Sequence, residues 1–350
     1  HTPDALYDAI HNFRTPVLAY AASPGIPELI SAIEGYYRNI GVQLSESDIL
    51  VTTGGSEALQ IAANCLLDDG DEVIVPEPFY PNYHTFITTA GGVIHPLHTK
   101  PEEGYFYADR ARIEACITPK TKAVIFPYPN NPTGGVMEPE DMKELAAALD
   151  GTDIVVIADE IYAELTYTGR THVAFASIPG MRERTITLNG FSKAFAMTGW
   201  RMGYACAPKE ILDVMMRVHQ YTIMCAPTAG QYAAVEALKS GLETDFADVK
   251  RMVRQYDRRR RVIVDGLRAA GLETHEPLGA FYAFPCVRST GMTSQEFCVR
   301  LLEEERVACV PGDAFGETGE GYVRCSYASS LENITEAVRR IGAFTARHHG

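Results

Sequence analysis

The chain has 350 residues, 46% of them hydrophobic and 22% charged, which fits one large or two ordinary globular domains and excludes a disordered or fibrous protein. Lys and Arg number 31 against 45 Asp and Glu, a formal net charge of −14 that repels nucleic acid and anionic membranes on average but permits a local basic pocket. No apolar run approaches the ~20 residues of a membrane span and no leader is legible, so a cytoplasmic protein without nucleic-acid or membrane partners is expected.

The first clear unit is a buried strand at Asp48–Thr53, a turn at Gly54-Gly55-Ser56 and a helix over Glu57–Leu67 with apolar spacing. A strand at Glu72–Val75 is expected to stop at Pro76 and Pro78. Another at Lys122–Phe126 stops at the turn Pro129-Asn-Asn-Pro-Thr-Gly134. A helix over Pro139–Leu149 leads to the apolar run Asp153–Ala158, and further strands are expected at Thr185–Leu188 and Met202–Ala207. This alternation predicts a mainly parallel α/β sheet covered on both faces. Near residue 245 the texture changes. Asp245–Ala270 reads as one long charged helix whose Arg258–Arg261 run is taken as an exposed face rather than a nucleic-acid patch. Short elements follow at Ala280–Phe284, Thr293–Glu304, Val307–Val310, Tyr322–Tyr327 and Leu331–His348. The expected organisation is a large α/β domain over residues 20–250 and a smaller α+β domain combining residues 1–19 with 251–350.

Ligands of parallel α/β sheets sit beyond the carboxyl ends of the strands, and polar clusters fall there. Gly54-Gly55-Ser56-Glu57, between a strand and a helix start, offers free N–H groups to a phosphate. Asn130-Asn131-Pro132-Thr133-Gly134 is either an ordinary turn or a site wall. Asp159 follows five apolar residues and is costly to bury without a donor or cation, although it also suits a helix cap before Ile161. Lys193 lies among apolar neighbours just past a strand, where a lysine loses its proton more easily. Arg201 follows eight residues later, and Arg324 stands within a strand, where an inward guanidinium needs an anion. The eight cysteines (65, 116, 206, 225, 286, 298, 309 and 325) are at least 11 residues apart. They contain no C-x-x-C, read as reduced thiols, and no metal set is predicted.

A lysine, a carboxylate, a phosphate cradle and an aromatic plane are together what pyridoxal phosphate requires. The chain resembles the class I/II aminotransferases of fold type I, and most the bacterial aspartate/aromatic-type subgroup. The resemblance runs through Gly25-Ile-Pro-Glu-Leu29, Thr53-Gly-Gly-Ser-Glu-Ala-Leu59, Pro78-Phe-Tyr-Pro-Asn-Tyr83, Asn131-Pro-Thr-Gly134 and Asp159-Glu-Ile-Tyr162. It continues through Ser192-Lys-Ala-Phe-Ala-Met-Thr-Gly-Trp-Arg201 and Pro311-Gly-Asp-Ala-Phe-Gly316 to Val323-Arg324. It implies a mainly parallel seven-stranded sheet with a smaller α+β domain, pyridoxal 5'-phosphate as cofactor, and transfer of an amino group from an L-amino acid to a 2-oxo acid in two ping-pong half-reactions. Lys193 would hold the cofactor aldehyde and then carry the substrate proton. Asp159 would pair with the ring nitrogen, Asn131 and Tyr162 would bond the ring oxygen, and Tyr80 would stack on the ring. Gly55, Ser56 and Glu57 would bind the phosphate through backbone N–H groups, with Arg201 as its charged partner and Ser192 nearby. Arg324, with Asn131 beside it, would grip the substrate carboxylate. Tyr20 matches a tyrosine that reaches the phosphate of a neighbouring subunit, so a homodimer is implied.

Two departures from the family pattern stand out. Many relatives have Ser three residues before the lysine, and here that position is Gly190. The family also has an N-terminal arm and a substrate loop ahead of the segment that matches His1-Thr2-Pro3, so an arm is expected to be absent, disordered or omitted. The same site chemistry suits a carbon–sulfur β-lyase, and some transcription regulators carry this fold as a ligand-sensing module behind a DNA-binding domain.

Overall fold

The computed structural model describes residues 2–14 and 17–348. Its central sheet has seven strands: β1 (Ile49–Thr52), β2 (Glu72–Glu77), β3 (Val93–His98), β4 (Thr121–Pro127), β5 (Val155–Asp159), β6 (Thr185–Gly190) and β7 (Gly203–Cys206). Their order is β1-β7-β6-β5-β4-β2-β3, parallel except for β7, which runs antiparallel to both neighbours. The near-continuous apolar runs of β4 and β5 have their cause here. Val124 and Phe126 face one layer while Ala123 and Ile125 face the other, so successive positions of the run are buried on both faces.

The helices in chain order are α1 (Asp4–Asn12), α2 (Pro27–Asn39), α3 (Gly54–Leu66), α4 (Asn82–Thr89), α5 (Arg110–Cys116), α6 (Pro139–Ala148), α7 (Phe191–Ala194), α8 (Lys209–Ile223), α9 (Thr228–Glu243), α10 (Ala247–Ala269), α11 (Ser294–Glu305) and α12 (Leu331–His348). Helices α3, α4 and α8 cover one face of the sheet. The other face is covered by α5 and α6 over its middle and by α2 and α9 over β1 and β7. The second unit is the antiparallel sheet β8 (Tyr282–Ala283), β9 (Val310–Pro311) and β10 (Val323–Ser326), ordered β8-β10-β9 and packed with α10, α11 and α12.

Four expectations are corrected. The opening residues do not join the smaller unit: α1 packs on α9, and Leu6 enters the core shared by α2, α9 and Phe195. The boundary drawn at 250 falls inside the continuous helix α10, whose Val249 belongs to the first core and whose Ile263, Val264 and Leu267 belong to the second. Strand β2 runs through Pro76 to Glu77, since Pro76 only forgoes a donor in a strand whose other residues keep the ladder. The Arg258–Arg261 run is not a uniformly exposed face. Arg260 is 7% exposed, bound to Asp257 and Glu276.

Among the described residues no helix is long and apolar enough to cross a membrane.

Candidate active site

Strands β4, β5 and β6 end on the same side of the sheet, and a cavity of about 370 Å³ opens there. Its wall takes Gly55 and Ser56 from α3, Tyr80 from the loop after β2, Asn131 from the turn after β4, and Asp159 from the tip of β5. Tyr162, Ser192, Lys193 and Arg201 complete the large-domain side, and Arg324 enters from β10. The residues expected to work together are thus brought together, with two exceptions. Glu57 does not line the cavity, and Tyr20 stands 81% exposed away from it.

Helix α3 starts at Gly54, one turn earlier than its apolar spacing suggests, and Thr53 supplies no side-chain cap. Its first N–H groups therefore lack intrahelical acceptors and face the cavity with the positive end of the helix dipole. Glu57 braces this turn from behind: its carboxylate accepts from Thr53 N at 2.5 Å and meets Nδ1 of the buried His219 at 2.8 Å. Gly54 has φ +76°, and a Cβ there would lie 2.6 Å from Arg201 Nη2, so only glycine lets the guanidinium lie against the loop. Arg201 donates to Thr198 O at 3.0 Å and forms no ion pair among the described residues.

The serine that many relatives carry at position 190 has no room. A Cβ on Gly190 would lie 2.9 Å from Gly203 Cα, and one on Gly203 would lie 2.5 Å from the Gly54 carbonyl carbon. Strands β6 and β7 and the start of α3 pack backbone to backbone, which excludes the extra hydroxyl.

Asp159 accepts from Tyr83 Oη at 2.5 Å and from Ile161 N at 3.2 Å. Residues 161–164 form a turn, so Asp159 caps no helix. Burial pushes its carboxyl above the ordinary range, and the bond from Tyr83 acts against this. Lys193 sits on α7, which follows β6 directly. Its Nζ lies 5.6 Å from the ring centres of both Tyr162 and Phe281, with no carboxylate at ion-pair distance. Burial, and then the positive charge of Arg201, lower its pKa, while Asp159 pulls it up. A lysine in that setting gives up its proton more readily than one in water.

Arg324 Nη1 donates to Asn131 Oδ1 at 2.8 Å, and its guanidinium lies 4.4 Å from the Tyr282 ring and 4.8 Å from that of Phe315. Its Nε is buried with no partner. A buried donor left open inside a cavity is a position prepared for an acceptor from outside the chain. Tyr162 and Tyr282 share a hydrogen bond of 3.0 Å between hydroxyls.

Tyr83, Asn189 and Tyr282 also line the cavity and were not singled out from sequence. Tyr83 stands three residues after Tyr80 in the same motif, a spacing that offers one face to the site. Asn189 ends a strand whose neighbours were already suspected. Tyr282 lies in a short strand with no local signal at all.

The donor set fits pyridoxal phosphate on three observations. Arg201 and the α3 start make an anion cradle, the half-buried Asp159 carboxylate is one whose burial a cationic ring nitrogen would relieve, and Lys193 is an amine with no ion-pair partner in the same cavity.

Comparison with known proteins gives the family. The family described as aminotransferase class I and II matches residues 3–341. The chain is 46% identical over 328 residues to YugH of Bacillus subtilis, covering 93% of this chain and 83% of that one. It is 41% identical to an aspartate aminotransferase of Pyrococcus abyssi, covering 92% and 82% respectively. The solved aromatic aminotransferase of Pyrococcus horikoshii superposes with TM-score 0.93 at 38% identity, covering 99% of this chain and 93% of that one.

Proposed function

Since the chain belongs to the class I and II aminotransferases and is an aminotransferase, we propose that its cavity holds pyridoxal phosphate at Lys193 and accepts L-amino acids and 2-oxo acids in turn. The observation that carries this reading is the convergence of one amine and two guanidiniums, none ion-paired to a carboxylate, with the carboxylate of Asp159 in one cavity.

When bound, the cofactor supplies an aldehyde for the substrate amine and a ring that draws electrons from the substrate α-carbon. The chain's residues do the rest. The α3 N–H groups and Arg201 would hold the phosphate. Asp159, kept in place by Tyr83 and Ile161 N, would pair with the ring nitrogen and favour its protonated form. Tyr162 and Asn131, on the same cavity wall, would bond the ring oxygen, and Tyr80 would stack on the ring. Arg324 binds the substrate carboxylate through its open edge, and its fork geometry matters more than its charge. Lys193, already biased toward the neutral amine, takes and returns the α-proton.

With Arg201 given to the phosphate, Arg324 is the one guanidinium lining the cavity, among the described residues, that is left for a substrate carboxylate, which supports aromatic and neutral amino donors ahead of those with a second carboxylate. Exposed Leu18, Tyr20 and Tyr221 support a homodimer in which Tyr20 completes the partner's phosphate site.

The test is a donor panel against 2-oxoglutarate and aromatic 2-oxo acids, with borohydride trapping and peptide mapping. The expected result is glutamate formation and cofactor fixed to Lys193. Label on another lysine overturns the site. Pyruvate release from cystathionine without transfer of the amino group overturns the reaction.

A further inference from the structure

Outside the active site, the smaller unit holds a feature that the transamination chemistry does not use. Strands β9 and β10 pair Val323 with Pro311 and Arg324 with Val310. Carrying that register one residue further sets Cys325 opposite Cys309. The two sulfurs lie 3.5 Å apart, and among the described residues no other pair of the eight cysteines makes such a contact.

The pairing type is the favourable one. Gly312 N donates to Tyr322 O at 2.8 Å, so that opposed pair belongs to the hydrogen-bonded class. Classes alternate along an antiparallel ladder, which makes 311:323 non-bonded, 310:324 bonded and 309:325 non-bonded. Non-bonded pairs bring Cα atoms to about 4.5 Å, inside the ~4.4–6.8 Å range a disulfide spans. Closing the remaining gap needs side-chain rotation and no shift of register.

Cys309 is the member open to a reagent: it is half-buried, while Cys325 is buried. A separate cavity of about 340 Å³ between this hairpin and α12 is lined by both cysteines together with Ser329, Asn333, Arg306 and Arg340. Glu336 on the same wall pairs with Arg340, whereas Arg306 is exposed and has no ion-pair partner among the described residues, so one unneutralised positive charge faces an incoming anionic reagent. The other cysteines have no thiol neighbour at this distance and could only form adducts.

We infer that Cys309 and Cys325 are a reversible oxidation site, a cross-strand dithiol that closes to an intramolecular disulfide on reaction with a low-molecular-weight disulfide. One protein thiolate attacks the reagent, breaks its S–S bond and releases a small thiol. The second protein thiol gives up its proton and attacks the protein sulfur of the mixed disulfide, releasing the second small thiol. Two protein thiols and one small disulfide become one protein disulfide and two small thiols, so the protein is oxidised by two electrons and the reagent reduced by two. The hydrogen bond with Cys325, and then burial, push the Cys309 thiol up, so the exchange quickens as pH rises above neutral. The bond would enclose Gly312–Phe315, and with it Phe315, which stacks near Arg324.

The experiment incubates the cofactor-loaded protein with glutathione disulfide, quenches with acid and reads intact mass and peptide linkage. The expected product is lighter by two hydrogens, carries one linked peptide joining positions 309 and 325, and reverts with dithiothreitol. Cys309→Ser should lose that product and, at most, carry glutathione adducts. Protein unfolded in urea should give mixed pairings where the native protein gives one. Native wild-type protein that gains only glutathione adducts, or whose linked peptide joins other cysteines, overturns the inference. None of these readouts depends on which amino acid the enzyme uses.

Discussion

Two arginines with similar aromatic company, one buried and one half-buried, do opposite things. Arg260, on α10, lies 5.3 Å from the Tyr167 ring and binds Asp257, Glu276 and the Pro277 carbonyl. Arg324, on β10, lies 4.4 Å from the Tyr282 ring, yet its one protein acceptor is the Asn131 amide oxygen and its Nε stays open. A guanidinium satisfied by carboxylates is structural glue, and removing it leaves Asp257 with Arg261 alone and Glu276 with Arg268 alone. A guanidinium short of an anion, on the wall of a cavity, is stabilised only when a ligand arrives. Charge alone does not separate the two. What separates them is whether the fold has already supplied the counter-ion.

The largest expected effect lies at the amine that shares the cavity with Arg324. Lys193→Ala should lower kcat by about 10⁴-fold or more, because it removes the one group placed to move the α-proton. Single-turnover absorbance changes with an amino donor check this, and parent-like turnover sinks the assignment. Next, Arg324→Lys should lower kcat/KM by about 100-fold, with KM raised, since a point charge cannot replace the fork. Arg260→Leu should do the reverse. It should leave kcat/KM near the parent value and destabilise the protein by about 2 kcal/mol, less than a fully buried pair because Glu276 is partly exposed. Urea denaturation and steady-state kinetics on both variants measure the contrast. If Arg260→Leu costs activity and Arg324→Lys costs only stability, the comparison is inverted.

Much of this contrast was legible before the structure, and its limits have physical causes. Strands β4 and β5 could be read because parallel strands buried on both faces need unbroken apolar runs. Lys193, Asp159 and Arg324 could be read because each is a charged residue where burial demands a partner. Arg260 was misread for the complementary reason. A run of four arginines does not say which one turns inward, and its partners Asp257 and Glu276 are ordinary in sequence. Helices α2 and α9 and the seat of α1 went unread, because packing against a distant element leaves no local mark. Tyr282 was missed on the same ground. It is one aromatic residue in a two-residue strand, and its role comes from reaching both Tyr162 and Arg324 across the domain junction.

A milder variant sharpens that last point. Tyr282→Phe keeps the ring under Arg324 and removes only the hydroxyl that meets Tyr162. It should lower kcat by about threefold to tenfold with KM nearly unchanged, the loss of one neutral hydrogen bond. A rise in KM matching that of Arg324→Lys would instead place the hydroxyl in substrate binding.

The smallest expected effect concerns folding rather than catalysis, and it tests the open-cation side of the comparison directly. Burial and Arg201 hold the Lys193 pKa in the cofactor-free fold below its ordinary 10.5. Between the lowered value and 10.5, the unfolded chain binds more protons than the folded one, so stability rises with pH across that window. Below the window the full penalty of a charged, half-buried amine is present. Lys193→Met removes the penalty. The cofactor-free variant should therefore have a higher urea midpoint than the parent at neutral pH, with the gap narrowing as pH approaches 10.5. A gap that widens with pH would mean that Lys193 gains a partner on folding and that the cavity is not short of negative charge.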